Sequence, residues 1–149
     1  RSALVIGKQG STELTSSEDV HDAEVGELGA VLYEPDPAII RARLIGDLAR
    51  SLEATMISES IAWMTADTFA PSPFASAFSV REVLPLHVSS LKSELRKRDI
   101  GVLEIKKRGV DIDPAEFRRK LALKGASSAV LILTRIGDKR VAILADRLS

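Results

Sequence analysis

The chain has 149 residues, of which 45% are hydrophobic and 28% charged, and it has no cysteine. This length and composition are typical of a globular protein with one domain or two small ones, and they exclude disorder throughout. The lack of thiols excludes disulfides, thiolate nucleophiles and cysteine-ligated zinc, and it favours a reducing compartment, so we expect a cytoplasmic protein. The longest apolar run of the strand-like C-terminal region, Ala129–Leu133, is far shorter than the roughly 20 residues that span a bilayer, so we expect no membrane segment.

Charge is distributed unevenly along the chain, although the net charge is zero. Residues 1–74 carry five Lys/Arg against twelve Asp/Glu, a net charge of −7, and residues 75–149 carry the remaining 16 and 9, a net charge of +7. Such an asymmetry indicates either a polyanionic partner for the basic half or docking of one half against the other. Composition leaves both alternatives open.

The N-terminal half predicts a strand-rich unit with one long helix. Asp36 can cap that helix and Pro37 suits its first position. Pro71 and Pro73 interrupt any regular element, so we place a domain boundary near residue 74. In chain order the predicted elements are a small hairpin, or the last strands of a preceding domain, from Ala3 to Leu14, a solvated acidic loop or linker over residues 16–29, a strand at Ala30–Tyr33, a helix to about Leu52, and short strands at residues 56–57 and 61–64.

The C-terminal half predicts the order β-α-β-α-β-β. Asp113-Pro114 is typical of a helix start, and Gly137-Asp138 is typical of a hairpin turn. Phe117, like Tyr33 and Trp63, is interpreted as a core or interface residue. The predicted elements are a strand at Phe78–Leu84, a helix capped by Ser89 and ended by Gly101, a strand at Val102–Ile105, a basic turn at residues 106–109, a helix from Pro114 to about Leu123, and a hairpin of Ala129–Leu133 with Val141–Ala145.

These elements predict the fold class α/β (α+β), with two small sandwich units at residues 30–74 and 75–149. We expect the second unit to be a mixed sheet with helices packed on it. Residues 1–29 are interpreted as a connector. Because the chain begins with Arg1-Ser2, without a methionine, we expect it to be a piece of a longer protein.

Catalytic and metal chemistry have little support in the sequence. The two histidines are His21, in the acidic loop, and His87, which we interpret as a surface or turn residue. The segment Gly7-Lys8-Gln9-Gly10 lacks the spacing of a phosphate-binding loop. Paired carboxylates stand at proline-marked helix starts, where capping accounts for them. We therefore expect no catalytic residue and no metal ligand in this chain.

Basic side chains are stronger candidates for a functional site. If several face one way, their summed potential would attract phosphates and make binding salt-dependent. The alternative is that they are solvated helix faces with local pairs such as Glu94–Arg98 and Glu116–Lys120. The strand Val102–Ile105 lacks the rings that stack on bases, so any RNA contact would use backbone and shape. The electrostatic candidates on the two predicted helices are Lys92, Arg96, Arg119 and Lys120.

Two segments resemble a known family. The stretch IGVLEIKKRGVD at residues 100–111, with Asp113-Pro114 after it and Leu133-Thr134-Arg135 near the end, is similar to the THUMP-like domain found at the C-terminus of certain bacterial class I methyltransferases that use S-adenosylmethionine. The upstream stretch YEPDPAIIRA at residues 33–42 is similar to the segment that joins such a domain to the catalytic part. The resemblance covers residues 30–147.

This resemblance implies an accessory module that binds RNA, in particular tRNA, and presents it to a methyltransferase domain expected before Arg1. S-adenosylmethionine would be bound there, because the glycine-rich cofactor loop and the acidic ribose-binding residue of a methyltransferase are missing from this sequence. No catalytic or cofactor-binding residue is therefore carried over. The alternative is a docking or oligomerisation module of a methyltransferase that acts on a protein or a small molecule. The nucleic-acid-binding candidates at motif positions are Lys106, Lys107, Arg108 and Arg135.

Overall fold

The computed structural model describes residues 1–7, 10–15 and 23–149. Its contacts divide the chain into two compact units. The first consists of Arg1–Ser79 with Leu148–Ser149, and the second of Val80–Arg147. The division falls a few residues after the boundary that the prolines predict.

The first unit begins with an antiparallel hairpin, as the sequence predicts. Strand β5 pairs with both β4 and β3, and β3 also pairs with the first residues of β6; all three pairings are antiparallel. Its elements are β1 (Ser2–Gly7), β2 (Gly10–Thr15), β3 (Val31–Pro35), α1 (Pro37–Arg41), α2 (Ile45–Leu52), β4 (Thr55–Ser58), β5 (Ile61–Ala66) and the start of β6 (Ala75–Pro85).

Part of the predicted acidic loop is paired with the sheet. The amide of Gly26 donates to the carbonyl of Met56, and the amide of Met56 donates to the carbonyl of Glu24, both at 2.8 Å. The prediction of a solvated loop is therefore wrong for this part, because backbone groups here satisfy the edge of β4. Residues 16–22 of the predicted loop lie outside the described residues.

The single helix predicted after Asp36 is also wrong, because two helices replace it. Asp36 does cap the first, accepting a hydrogen bond from the amide of Ala38 at 2.9 Å. The break follows because Arg43 adopts a left-handed conformation, with φ +58°, and the amide of Leu44 then donates back to the carbonyl of Ile39 at 3.0 Å. Periodicity continues across the break, so apolar spacing alone predicts one helix.

The core of the first unit contains the aromatic residues that the sequence assigns to it. Tyr33 and Trp63 are both 0% exposed. The ring of Trp63 meets Phe78 edge to face, with centroids 6.1 Å apart. The hydroxyl of Tyr33 accepts a hydrogen bond from the amide of Ala70 at 2.8 Å, which anchors the proline-containing segment.

The second unit has the predicted order β-α-β-α-β-β. Strand β8 pairs with β7 in parallel and with β9 antiparallel, so it is the central strand that its apolar sequence predicts. The strands β9-β8-β7 of this unit thus form a mixed sheet, which together with the helices confirms the α+β class. The elements after β6 are α3 (Val88–Lys97), β7 (Ile100–Lys107), α4 (Pro114–Leu121), β8 (Ser127–Ile136) and β9 (Lys139–Arg147).

The two helices of this unit pack on one face of its strands, which we call the helix face. Leu131 and Leu133 of β8 share a buried cluster with Ala142 and Leu144 of β9, as alternation along a strand requires. The helices contribute inward residues four apart, and each such burial stabilises the fold by about 1.5–3 kcal/mol. These helical residues are Leu91 and Leu95 of α3, and Phe117 and Leu121 of α4.

Two local predictions about α3 and its end are wrong. The helix is capped by His87, whose ring accepts from the amide of Ser90 at 3.4 Å, and not by Ser89. Gly101 does not end the helical unit, because α3 stops at Lys97 and Gly101 lies inside β7 at a bulge. Asp113, by contrast, caps α4 as predicted, accepting from the amide of Ala115 at 3.0 Å.

Replacement of Ala122 by glycine is expected to raise the free energy of unfolding by about 0.5–1 kcal/mol. Ala122 is the exposed residue that ends α4 in a left-handed conformation, with φ +48°, which a Cβ disfavours and glycine does not. Urea unfolding measures the change. Ala115→Gly is the matched control, because Ala115 lies inside the first turn of α4. Glycine at that position is expected to lower the free energy of unfolding by about 0.5–1 kcal/mol. Destabilisation by both substitutions would contradict the expectation.

Candidate nucleic-acid interface

The predicted basic turn at residues 106–109 is wrong in its first half, because β7 continues through Lys107. Lys106 pairs in register with Ile132, and Lys107 with Leu133. Neighbouring residues of a strand point to opposite faces. Lys107 therefore shares the helix face with Leu103, while Lys106 lies on the other face with Glu104. The two lysines do not form one patch.

Backbone hydrogen bonds fix the loop that follows β7. The hydroxyl of Thr134 donates to the carbonyl of Arg108 at 2.7 Å, and the amide of Arg108 donates to the carbonyl of Leu133 at 3.1 Å. The guanidinium Nε of Arg135 donates to the carbonyl of Gly109 at 2.9 Å. Arg108 and Lys106 each have a further interaction within the protein as well. Three of the four motif-position residues, Lys106, Arg108 and Arg135, are thus engaged within the protein.

Three cations meet where β7 and β8 end and β9 begins. Arg135 of β8 lies directly opposite Arg140 of β9 in the register. Both share the helix face, and Lys107 ends the neighbouring strand on that face. Like charges directly opposite each other on a sheet are destabilising, so this cluster costs folding free energy unless an anion neutralises it. Sequence reasoning missed Arg140, although a two-residue turn at Gly137-Asp138 would have placed it opposite Arg135.

Two further cations continue this cluster along the helices. Lys92 of α3 and Lys120 of α4 line one shallow depression beside Val88. Lys120 also lines an adjacent pocket, together with Arg140. Lys120 therefore links Lys92 to Arg140 through the two cavities. The strand register places Arg135 and Lys107 beside Arg140. We call this set the basic track: Lys92, Lys120, Arg140, Arg135 and Lys107.

The members of the basic track differ in how much the protein itself engages them. Lys120 approaches Glu116 at 3.8 Å, as the i,i+4 spacing predicts. The side chains of Lys92, Lys107 and Arg140 make no hydrogen bond or ion pair with any residue that the structure describes. Arg96 and Arg119 are exposed on their helices but line neither cavity. The structure thus brings together four of the eight predicted residues and leaves the others apart.

Other cations of the second unit are held by carboxylates. Arg98 bonds to Glu94 at 2.9 Å, as predicted, and also to Glu82. Arg81 donates twice to Asp146, and this hydrogen bonding lowers the pKa of the Asp146 carboxyl. Arg98 and Arg81 are therefore structural cations, in contrast to those of the basic track. The pairs at most contribute modestly to stability, because they are largely exposed.

Neither a metal site nor a membrane span is found in the part of the chain that the structure describes. Within residues 1–7, 10–15 and 23–149, no group of three or more His, Asp or Glu side chains could hold a metal ion. No helix among these residues is long and apolar enough to cross a bilayer. His21 lies outside the described part of the chain.

The residues of the second unit also do not fit S-adenosylmethionine. Its glycines serve other purposes: Gly101 and Gly125 pack backbone against backbone, and Gly137 forms the hairpin turn with φ +59°. The helices are preceded by Asp113 and His87, which cap them, and not by a glycine-rich loop that could cradle a cofactor.

Comparison with known proteins finds a family model that matches the C-terminal half of the chain, and relatives of the chain as a whole. Residues 75–147 match the sequence model of the family described as THUMP domain-like. The chain is 32% identical, over 127 residues, to an uncharacterized S-adenosylmethionine-dependent methyltransferase of Mycobacterium tuberculosis, from strains CDC 1551 / Oshkosh and ATCC 25618 / H37Rv. That match covers 85% of this chain and 35% of the relative, so the chain spans about a third of the length of the curated relatives it matches.

A solved structure shows the same fold. The crystal structure of a candidate methyltransferase from Porphyromonas gingivalis W83 superposes on 93% of this chain and 35% of that protein, with a TM-score of 0.73 and 20% sequence identity. At this identity the likeness establishes the fold alone.

Proposed function

We propose that this chain, whose residues 75–147 form a THUMP-like domain, is the non-catalytic C-terminal part of a cytoplasmic S-adenosylmethionine-dependent methyltransferase. It binds RNA of the tRNA type through the basic track. The methyltransferase domain, expected before Arg1, holds the cofactor and carries out the transfer. The present chain positions the RNA and takes no part in the transfer reaction.

The observation that carries the proposal is the like-charged pair Arg135 and Arg140 beside Lys107. Two arginines that lie opposite each other on a sheet lower the stability of the free protein. Phosphates of a bound RNA backbone would offset that destabilisation. Lys92 and Lys120 extend the positive surface along the helices, so several phosphates could be neutralised at once. The methyltransferase relatives support a place for this chain beside a catalytic domain. Such a domain must reach one nucleotide of its RNA, and an RNA-binding surface next to it would hold that nucleotide in position.

Titration of this chain with bulk tRNA at several salt concentrations tests the proposal. The variant to compare is Lys92→Glu with Lys107→Glu, because neither side chain has a partner among the described residues, so neither change breaks an ion pair of the fold. We expect log affinity to fall linearly with log salt concentration, and the double variant to bind about tenfold or more weakly with a slope lower by roughly two. Fluorescence anisotropy measures both quantities.

The matched control is Lys124→Glu with Lys139→Glu, which changes the net charge equally at exposed sites that line neither cavity of the track. The control is expected to lose only a small part of the affinity. Equal losses in the two double variants would contradict a localised track. Absence of tRNA binding by the original chain at low salt would overturn RNA binding and favour docking of a methyltransferase that acts on another substrate.

A further inference from the structure

The pocket between Lys120 and Arg140 has a composition that the basic track does not explain. Its volume is about 300 Å³. Val88, Ile112 and Phe117 give it an apolar floor, and charged groups of both signs surround that floor. A surface that only attracts phosphates needs neither the apolar floor nor the carboxylates.

The carboxylates of the pocket are not equivalent. Asp113 caps α4, and Glu116 is close to Lys120. Asp111 is exposed and has no hydrogen bond or ion pair with the described part of the chain, Arg140 included. Asp111 and Arg140 are thus a free acceptor and a free donor on the rim of one apolar pocket. A complementary ligand carries an anion, a flat apolar body and a hydrogen-bond donor.

We propose that this pocket binds one nucleotide of single-stranded RNA, an inference that rests on the proposed function. The phosphate lies at Arg140 and Lys120, the base covers the floor at Phe117, and Asp111 accepts a hydrogen bond from the base. The volume lies at the lower end of small-ligand sites, which suits a single nucleotide. The base must leave any helical stack to reach the floor, so a duplex does not fit this site.

The carboxylate of Asp111 selects among bases. Adenine, cytosine and guanine each present an exocyclic amino group, which an ionised carboxylate accepts well. Uracil presents one N–H group between two carbonyl oxygens, and a carboxylate repels these oxygens. The pocket therefore discriminates against uracil. Inorganic phosphate alone gains nothing from the floor and is repelled by Asp111 and Glu116.

Binding of labelled oligo(A), oligo(C) and oligo(U) hexamers to the whole 149-residue chain tests the inference. We expect oligo(A) and oligo(C) to bind about tenfold more tightly than oligo(U), the difference that one charge-assisted hydrogen bond supplies. Arg140→Ala weakens all three complexes by about tenfold. Asp111→Asn removes the charge that repels the uracil carbonyls, so oligo(U) binds more tightly and the preference shrinks.

Lys139→Ala is the matched control, because Lys139 is exposed, adjacent to Arg140 and on the opposite face of β9. It should leave the base preference unchanged and lower the affinity only slightly. Thermal melts verify that all four proteins are folded. Equal affinity for the three hexamers, or equal effects of Arg140→Ala and Lys139→Ala, would overturn the nucleotide pocket. If the chain still binds tRNA in that case, the proposed function stands. Failure of the chain to bind either tRNA or hexamers would overturn both.

Discussion

Replacement of Gly101 by alanine is expected to lower the free energy of unfolding by about 3 kcal/mol, because the added methyl group has no space. A Cβ at Gly101 would overlap the backbone of Gly125 at well under 3.0 Å, a separation that real Cβ atoms essentially never show. Gly125 is equally constrained, since its own Cβ would overlap the carbonyl of Asp99. The obstacle is main chain, so no side-chain rotation can relieve it.

Urea unfolding of Gly101→Ala checks this expectation against Gly7→Ala. Gly7 has no atom within 4 Å of a built Cβ and its φ is not in the left-handed region, so its replacement should change stability by less than about 0.5 kcal/mol. A loss at Gly101 no greater than that at Gly7 would show that the backbones of Gly101 and Gly125 are not in close contact. The contact also matters for the site, because it seats the start of β7, the strand that ends in Lys107, beside β8.

Element order could be predicted from the sequence because its signals are local. Asp36-Pro37 and Asp113-Pro114 begin helices, and Gly137-Asp138 closes the last hairpin, as capping and turn chemistry require. The contact between Gly101 and Gly125 joins a residue of β7 to one in the loop before β8, far apart in the chain, so no local pattern indicates it. The helix break at Arg43 escaped prediction for a related reason, since apolar spacing does not report a left-handed residue.

The sequence indicated the sign of the charge at the candidate site, but not which side chains lie together there. The basic composition of the second half indicated either a polyanion partner or docking against the acidic half, and four of the eight named cations lie together in the structure. Strand alternation separates Lys106 from Lys107, which a turn would have kept on one side. Arg140 required the register of the final hairpin, and the free carboxylate of Asp111 required knowledge of which cations the fold had already paired.

Replacement of Phe117 by alanine is expected to lower the free energy of unfolding by about 3–4 kcal/mol, the cost of removing a buried aromatic side chain and leaving a cavity. Phe117 is 6% exposed and anchors α4 in the cluster formed with Leu121 and Leu131. Urea unfolding measures the loss. Phe69→Ala is the control, because Phe69 is 42% exposed and its replacement should cost less than about 1 kcal/mol. Similar losses at the two positions would show that α4 is not packed through this ring.

Phe117→Leu separates the structural role of this ring from its place in the pocket. Leucine keeps most of the buried volume, so the free energy of unfolding should fall by only about 1–1.5 kcal/mol. The variant stays folded, but the flat floor beneath the proposed base is lost. Oligo(A) affinity should then fall, while the salt dependence of tRNA binding stays the same, because the cations of the basic track are untouched. A weaker salt dependence without a loss of oligo(A) affinity would show that the ring positions the cations of the basic track and does not contact a base.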